Sequence, residues 1–150
     1  MNLDTRNPNR LLVLDDDEKM LALVAKMAEP IGFETAGVTS STAFIEKYKE
    51  MSPTVAIIDL FLQSEDSVSI IDYLGRSRFK GPIILFSGFD HHFLRAISEL
   101  AHQHGLHVLG TVEKGRNIEK IGVLLRTAYL GSLRPLLSPQ AWSTLSESAG

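Results

Sequence analysis

The chain has 150 residues, a formal net charge of −3 and no cysteine. This length suits one domain, the composition of 44% hydrophobic and 22% charged residues excludes a disordered chain, and the missing cysteines exclude disulfides and thiolate chemistry. The scattered Lys and Arg residues argue against a nucleic-acid surface, and with a polar N-terminus and no apolar run of about 20 residues we expect a cytoplasmic protein that does not enter a membrane.

Five short apolar runs alternate along the chain with longer amphipathic stretches, and each run predicts a strand. The runs are Leu11–Leu14, Phe33–Val38, Val55–Ile58, Ile83–Phe86 and Val108–Val112. Four of them are almost continuously apolar, which is typical of parallel strands covered by helices on both faces. Phe33–Val38 is more mixed, and we therefore expect it towards an edge of the sheet.

Apolar residues at three- and four-residue spacing predict a helix after each strand. The first carries Met20–Met27 and stops at Pro30 and Gly32, the second follows capping residues within Thr39–Ser41, the third covers about Val68–Leu74, the fourth carries Phe93–Leu100 before Gly105, and the fifth runs from Ile118 to about Gly131.

Strands that alternate with helices in this way predict an α/β domain, because parallel neighbours need crossover helices. We expect a flavodoxin-like doubly wound sheet with the strand order 2-1-3-4-5. The domain should occupy residues 1–131, with its core at about 10–130. Residues 132–150 should form a tail or the start of a linker, with one short helix carrying Trp142 and Leu145.

Polar side chains follow four of the five predicted strands. The set comprises Asp15, Asp16 and Asp17 after the first strand, Asp59 after the third, Ser87 after the fourth and Lys114 after the fifth. Ligands bind outside the carboxyl ends of the strands in an open parallel sheet, so these groups are expected around one crevice. Singly, each has an ordinary explanation as a helix terminus, a cap, a turn residue or a solvated lysine. Their joint position is what indicates a site.

The carboxylates predict a metal. Carboxylates held a few ångströms apart repel each other unless a cation lies between them, and their oxygens suit Mg²⁺. We predict a divalent-metal site on Asp16 and Asp59, with Asp15 holding a metal-bound water. Once the cluster is neutralised, one carboxylate can attack an incoming phosphoryl group, while Ser87 and Lys114 hold the transferred oxygens.

Four segments resemble the receiver domains of two-component response regulators, and the resemblance covers about residues 10–130. They are LLVLDDDEKM, VAIIDLFLQSEDS, PIILFSG and VLGTVEKG. The resemblance implies that Asp59 is the phosphoacceptor and that Ser87 and Lys114 assist it. It also implies a Mg²⁺ cofactor with a set of oxygen ligands supplied by Asp15, Asp16, Asp59 and the backbone carbonyl of Phe61.

The same resemblance implies partners. A sensor histidine kinase or a histidine phosphotransfer protein should donate the phosphoryl group, and a downstream protein or output domain should receive the signal. The segment HGLHVLGTVEKG also resembles receivers attached to domains that make or break cyclic dinucleotides, which makes such turnover a candidate output. We expect a phosphoacceptor signalling domain rather than an enzyme, without direct contacts to nucleic acid.

The chain departs from the family pattern at several positions. Leu62-Gln63 replace the usual Met-Pro, Gly115 replaces the usual proline after the lysine, and Thr111 stands where an aromatic switch residue commonly lies. None of these changes removes a charged participant, so we expect the phosphoryl chemistry to survive. Gly115 permits many backbone shapes and Thr111 cannot swing a large ring, so the route by which the signal leaves the site stays open.

Two aromatic residues, Phe61 and Phe89, are expected at the rim of the crevice. They either exclude the water that hydrolyses an aspartyl phosphate or simply cover apolar surface.

Two alternative functions remain. One alternative is a haloacid-dehalogenase-like phosphohydrolase with Asp15 as nucleophile, which the sequence disfavours because Lys19 stands where Thr or Val is expected. The other is a degenerate receiver that acts only as an interaction module.

Overall fold

The computed structural model describes residues 7–61, 67–88 and 91–133, together with residues 140, 143, 144 and 147. Its centre is a five-stranded parallel sheet formed by β1 (Arg10–Leu14), β2 (Glu34–Val38), β3 (Val55–Asp59), β4 (Pro82–Ser87) and β5 (His107–Glu113). The strands lie in the order β2-β1-β3-β4-β5, which confirms the predicted flavodoxin-like topology. The mixed strand β2 lies at an edge, as expected, and none of its residues is fully buried.

Five helices connect and cover the strands. They are α1 (Glu18–Ala28), α2 (Ser41–Met51), α3 (Ser67–Arg76), α4 (His91–Gln103) and α5 (Lys120–Leu133). Asp17 caps α1 by accepting a hydrogen bond from the Lys19 N–H, and Ser40 caps α2 in the same way through the Ala43 N–H. The predicted tail helix with Trp142 and Leu145 lies outside the described residues. Among the described residues no helix is long and apolar enough to cross a membrane.

The helix bounds lie close to those predicted, and local hydrogen bonding accounts for the later start of the fifth helix. The first α-helix ends at Ala28, just before Pro30, and a 3₁₀ turn, Glu29–Ile31, prolongs the helical stretch to Gly32 at φ 124°, where it was predicted to stop. A proline is tolerated there because its missing N–H lies in the first turn. The fifth helix begins two residues late, because Asn117 and Ile118 accept three-residue turn bonds that precede it. The third and fifth helices continue through the glycines that we expected near their ends.

The sheet separates two apolar layers. Alternate residues of the strands enter a cluster with α2, α3 and α4 (Leu12, Leu14, Ala56, Ile58, Ile83 and Leu85), and the others enter a cluster with α1 and α5 (Leu11, Val13, Val55, Ile57, Ile84 and Phe86). The central strands β1 and β3 are therefore buried on both faces. This packing fixes where their carboxyl ends lie.

Strand β5 contains a bulge that decides which face its later residues occupy. Val108 pairs with Ile83 and Gly110 with Ile84, so Leu109 is an extra residue in β5. Gly110 then faces α5, where an added Cβ would meet Leu124 at 2.8 Å. Thr111 pairs with Leu85, a member of the cluster under α4, and so lies on the α4 face of the sheet.

Candidate functional site

The predicted site residues meet at the carboxyl edge of the sheet. The Lys114 N–H donates to the Ser87 carbonyl over 3.0 Å, and the Leu60 N–H donates to the Phe86 carbonyl over 3.1 Å. These bonds hold the ends of β3, β4 and β5 side by side. Because all strands are parallel, the side chains that follow them open onto one crevice.

Three carboxylates cluster there. One oxygen from each of Asp15, Asp16 and Asp59 lies within 4.8 Å of the others. Asp15 and Asp59 have no exposed surface, whereas Asp16 is exposed. Two like charges about 4 Å apart repel by about 4 kcal/mol at an effective dielectric constant of about 20, so such a cluster needs positive charge. The sequence predicted this gathering but not which members would be buried.

Both buried carboxylates are oriented by a backbone N–H two residues further along. The Asp17 N–H donates to Asp15 Oδ1 over 2.9 Å, and the Phe61 N–H donates to Asp59 Oδ1 over 2.9 Å. Each aspartate thus closes a short turn where its strand ends. The second oxygen of each carboxylate remains for the crevice.

Lys114 supplies positive charge to both of those oxygens. Its Nζ donates a hydrogen bond to Asp59 Oδ2 over 2.9 Å and lies 2.8 Å from Asp15 Oδ2. The contact with Asp15 is an ion pair whose direction falls outside that of a hydrogen bond, since Asp15 Oδ2 is buried without a hydrogen-bond partner. Nζ also lies 5.6 Å from the centre of the Phe86 ring. The ammonium therefore bridges two carboxylates over an aromatic floor.

Burial and charge shift two pKa values. Burial, reinforced by the charge of Asp59, raises the pKa of Asp15 although Lys114 and the Asp17 N–H act in the opposite direction. Burial alone would lower the pKa of Lys114, but Asp15 and Asp59 raise it above 10.5. The lysine is charged at neutral pH, whereas the site resists a charge on Asp15.

The donor set fits a divalent metal ion. Asp15 Oδ2 is a buried anionic oxygen that lacks a hydrogen bond, and exposed Asp16 leaves one side of the cluster open to solvent. Hard carboxylate oxygens with room for retained waters are what Mg²⁺ requires. The role of the Phe61 carbonyl as a further ligand stays a prediction, since the observed contact of Phe61 with the acidic residues is its N–H bond to Asp59.

The backbone after Lys114 differs from a Lys-Pro segment. Gly115 has φ 84°, which a proline ring cannot adopt. The Asn117 side chain accepts a hydrogen bond from the Glu113 N–H over 2.8 Å and closes this loop over Lys114. Sequence reasoning missed Asn117, although asparagine side chains commonly close turns through hydrogen bonds to nearby backbone groups.

A ring pair stands at the rim of the crevice. Phe61 is 41% exposed, and its ring centre lies 5.9 Å from that of Phe93 in the first turn of α4. The ring also packs on Gly88, where an added Cβ would meet it at 3.1 Å. The predicted rim residue Phe89 lies outside the described residues. Phe93 was missed as a site neighbour because it fits the apolar pattern of its helix.

Sequence comparisons place these residues in a known context. A profile described as response regulator receiver domain matches residues 11–120. The photosynthetic apparatus regulatory protein RegA from Rhodobacter capsulatus is 28% identical over 79 residues, which are 53% of this chain. The chain spans 43% of the length of that relative.

Solved structures show the same architecture. A response regulator from Colwellia psychrerythraea is 27% identical, with a TM-score of 0.67 over 81% of this chain and 96% of that one. A CheY-like response regulator receiver domain protein from Methanospirillum hungatei has a TM-score of 0.70 over 85% of this chain and 98% of that one. The second is only 16% identical and bears on the fold alone.

Proposed function

The chain belongs to the family of response regulator receiver domains, and on that premise we propose that it accepts a phosphoryl group on Asp59 in a Mg²⁺-dependent reaction and switches conformation to control a partner or output domain. The observation that carries the proposal is the buried pair of carboxylates bridged by Lys114 Nζ, at 2.8 Å from Asp15 and 2.9 Å from Asp59. Such a pair gives one nucleophilic oxygen a fixed position and a cation beside it.

Asp59 is the better acceptor of the two buried aspartates. Both of its oxygens are held by donors, the Phe61 N–H and the Lys114 ammonium, so its direction is fixed. Its neighbour Ser87 ends the adjacent strand and is 4% exposed, which suits a hydroxyl that meets a transferred phosphoryl oxygen. Asp15 Oδ2 is buried without a hydrogen-bond donor, so Asp15 is less firmly oriented than Asp59 and fits a metal-binding role.

The expected donor is a phosphohistidine of a sensor kinase or phosphotransfer protein. An Asp59 carboxylate oxygen attacks phosphorus, the P–N bond breaks, and its electron pair returns to the imidazole nitrogen. The product is an acyl phosphate. Bound Mg²⁺ supplies the charge neutralisation that lets an anionic donor approach carboxylates. Lys114 can follow the negative charge onto the phosphoryl oxygens because its ammonium already lies within 2.9 Å of Asp59.

Phosphorylation by a small donor tests this proposal. We expect incubation with Mg²⁺ and acetyl phosphate to add one phosphoryl group to the wild-type chain, seen by intact mass, and to leave Asp59→Asn unmodified. Omitting Mg²⁺ should abolish the modification. Modification retained in Asp59→Asn, together with turnover of phosphomonoesters, would favour the hydrolase with Asp15 as nucleophile. If the wild-type chain is not modified, the remaining alternative is a degenerate receiver that acts only as an interaction module.

The lifetime of the phosphorylated form should depend on Phe61. Its ring stands at the rim two residues after the acceptor, so a polar replacement such as Phe61→Asn should admit water and shorten the lifetime several-fold. The measurement is the decay of intact mass after the donor is removed. Val68→Asn, which changes another exposed apolar residue, is the control and should decay as the wild type does. Equal decay of all three proteins would show that Phe61 merely covers apolar surface.

A further inference from the structure

Phe93 links helix α4 to the loop that carries the acceptor. It is the third residue of α4, partly buried, and packs against the apolar cluster beneath α2, α3 and α4. Its ring centre lies 5.9 Å from that of Phe61, with an interplanar angle of 60°. Aromatic pairs at this separation attract each other beyond the area that they bury. The helix and the loop therefore share one contact that depends on the positions of both.

Phe61 also contacts the acceptor Asp59 and the end of β4. Its N–H donates to Asp59 Oδ1 over 2.9 Å, and its ring rests on Gly88, the residue after Ser87. The approach to Gly88 is close, because an added Cβ there would lie 3.1 Å from the ring. Phe61 is thus fixed between the ends of β3 and β4, the two segments that carry Asp59 and Ser87.

Phosphorylation must change at least one of the two bonds that hold Asp59. A P–O bond formed by Oδ1 turns the acceptor of the Phe61 N–H into an uncharged bridging oxygen, and a P–O bond formed by Oδ2 does the same to the acceptor of Lys114 Nζ. The phosphoryl group brings three strong acceptor oxygens beside both donors and beside Ser87. A shift at the acceptor loop or at the end of β4 then moves the Phe61 ring against Phe93.

Thr111, the residue on β5 at the usual position of an aromatic switch residue, has no ring. Thr111 pairs with Leu85 and lies on the α4 face of the sheet, but a threonine side chain is too short to pass between a buried and an exposed position. The ring that contacts α4 beside the acceptor comes instead from the acceptor loop.

We propose that Phe93 is a positioning residue that couples the phosphorylation state of Asp59 to helix α4 through the ring of Phe61. The inference rests on the proposed phosphoacceptor function and assigns the route by which its signal leaves the site. Coupling of this kind is reciprocal, so a partner that binds α4 in its shifted position also favours the phosphorylated state.

The test follows the backbone amide resonances of Leu94–Gln103 when beryllofluoride and Mg²⁺ are added as a mimic of the phosphorylated state. In the wild-type chain we expect these resonances to shift. In Phe93→Leu, which keeps apolar contact with the core but has no ring, the shifts should fall to less than half. Phe93→Tyr should restore them, and Thr111→Val should leave them unchanged.

A second variant separates a coupled pair from two independent packing defects. Phe61→Leu should lose the α4 response as Phe93→Leu does, and the double variant should lose no more than either single variant. Phe93→Leu, Phe93→Tyr and Thr111→Val should still show the Mg²⁺-dependent shifts of Ser87 and Lys114 that report occupancy of the acceptor.

The coupling role of Phe93 and the phosphoacceptor function can fail separately in this experiment. Full α4 shifts in Phe93→Leu, with Ser87 and Lys114 responding, would overturn the coupling role and leave the phosphoacceptor intact. Loss in Thr111→Val with retention in Phe93→Leu would place the route on β5 and would also overturn it. A wild-type chain that shows no response to beryllofluoride would end the proposed function, and the coupling role with it.

Discussion

Replacing Lys114 by methionine is expected to lower the free energy of unfolding by about 2–4 kcal/mol at neutral pH without divalent cations. Methionine keeps most of the apolar stem but removes the ammonium that lies within 2.9 Å of two carboxylates. Asp15 and Asp59 have no exposed surface, so they would remain buried with only their backbone N–H partners. The loss is smaller than the full cost of an unpaired buried charge because the lysine side chain is 27% exposed.

The matched control is Lys47→Met. Lys47 pairs with Glu50 over 3.2 Å on α2, but the two side chains are 35% and 72% exposed. An ion pair in solvent contributes little, so the control should change stability by less than about 0.5 kcal/mol. Urea unfolding of both variants measures the difference. Equal losses would mean that Lys114 acts as an ordinary surface lysine and that the bridge carries no special stability.

The pH dependence of Lys114→Met follows from the two shifted groups. The pKa of Lys114 is raised above 10.5, so its contribution is fully present below pH 10.5 and is lost as the pH rises through the folded value. The pKa of Asp15 is raised above 3.8, so the folded state takes up its proton before the unfolded state does and gains stability as the pH falls through that window. The wild type and the variant should therefore converge in stability at high pH, and the difference between them should shrink at acid pH as Asp15 loses its charge.

Three strands of this fold, β1, β3 and β4, could be predicted because each is buried along almost its whole length. Val55–Asp59 is fully buried over all five residues, so its apolar run has one reading in an α/β chain. The order of the strands did not follow from periodicity; the flavodoxin-like order was favoured among doubly wound folds, and the mixed composition of the second run indicated only its edge position. The 3₁₀ turn after the first helix was harder, since Pro30 breaks an α-helix but suits the turn that is found there.

The residues at the strand ends were also predictable, but their interactions were not. Topology alone brings Asp59 and Lys114 to one edge of the sheet, whereas the 2.9 Å contact between them depends on side-chain direction and on the loop that Gly115 and Asn117 shape. Phe93 was hidden for another reason. It packs on the core and also contacts a neighbouring loop, but the apolar pattern of its helix predicts only the contact with the core.

The bulge in β5 could not be foreseen from periodicity. Alternation along an apolar run assigns one face to Leu109 and the other to Gly110, but the extra residue places Gly110 against α5 and turns Thr111 towards α4. The face of Thr111 determines whether it can contact α4. A single inserted residue thus bears directly on how the site communicates with its surroundings.

Replacing Asp15 by asparagine is expected to stabilise the metal-free protein, by an amount of the order of 1 kcal/mol. Burial, with the charge of Asp59, raises the pKa of Asp15, which means that the fold favours the uncharged side chain. Asparagine is uncharged, and its Oδ1 can still accept the Asp17 N–H as Asp15 Oδ1 does over 2.9 Å. Its Nδ2 then faces the Lys114 ammonium, and because both groups are donors the gain is smaller than the removal of a buried charge alone would give. Lys114 retains its hydrogen bond to Asp59. Urea unfolding in the presence of a chelator measures the gain.

The same substitution should remove most of the stabilisation that we expect Mg²⁺ to give. A ligand that binds only the folded state adds about 2.7 kcal/mol at a concentration 100-fold above its dissociation constant. Asp17→Asn is the matched control, because it removes one charge from the same acidic run while asparagine still caps α1. The wild type and Asp17→Asn should gain stability with Mg²⁺, and Asp15→Asn should not. If the buried carboxylate of Asp15 destabilises the metal-free state, a bound cation would explain why it is buried. An equal Mg²⁺ response in all three proteins would remove that explanation.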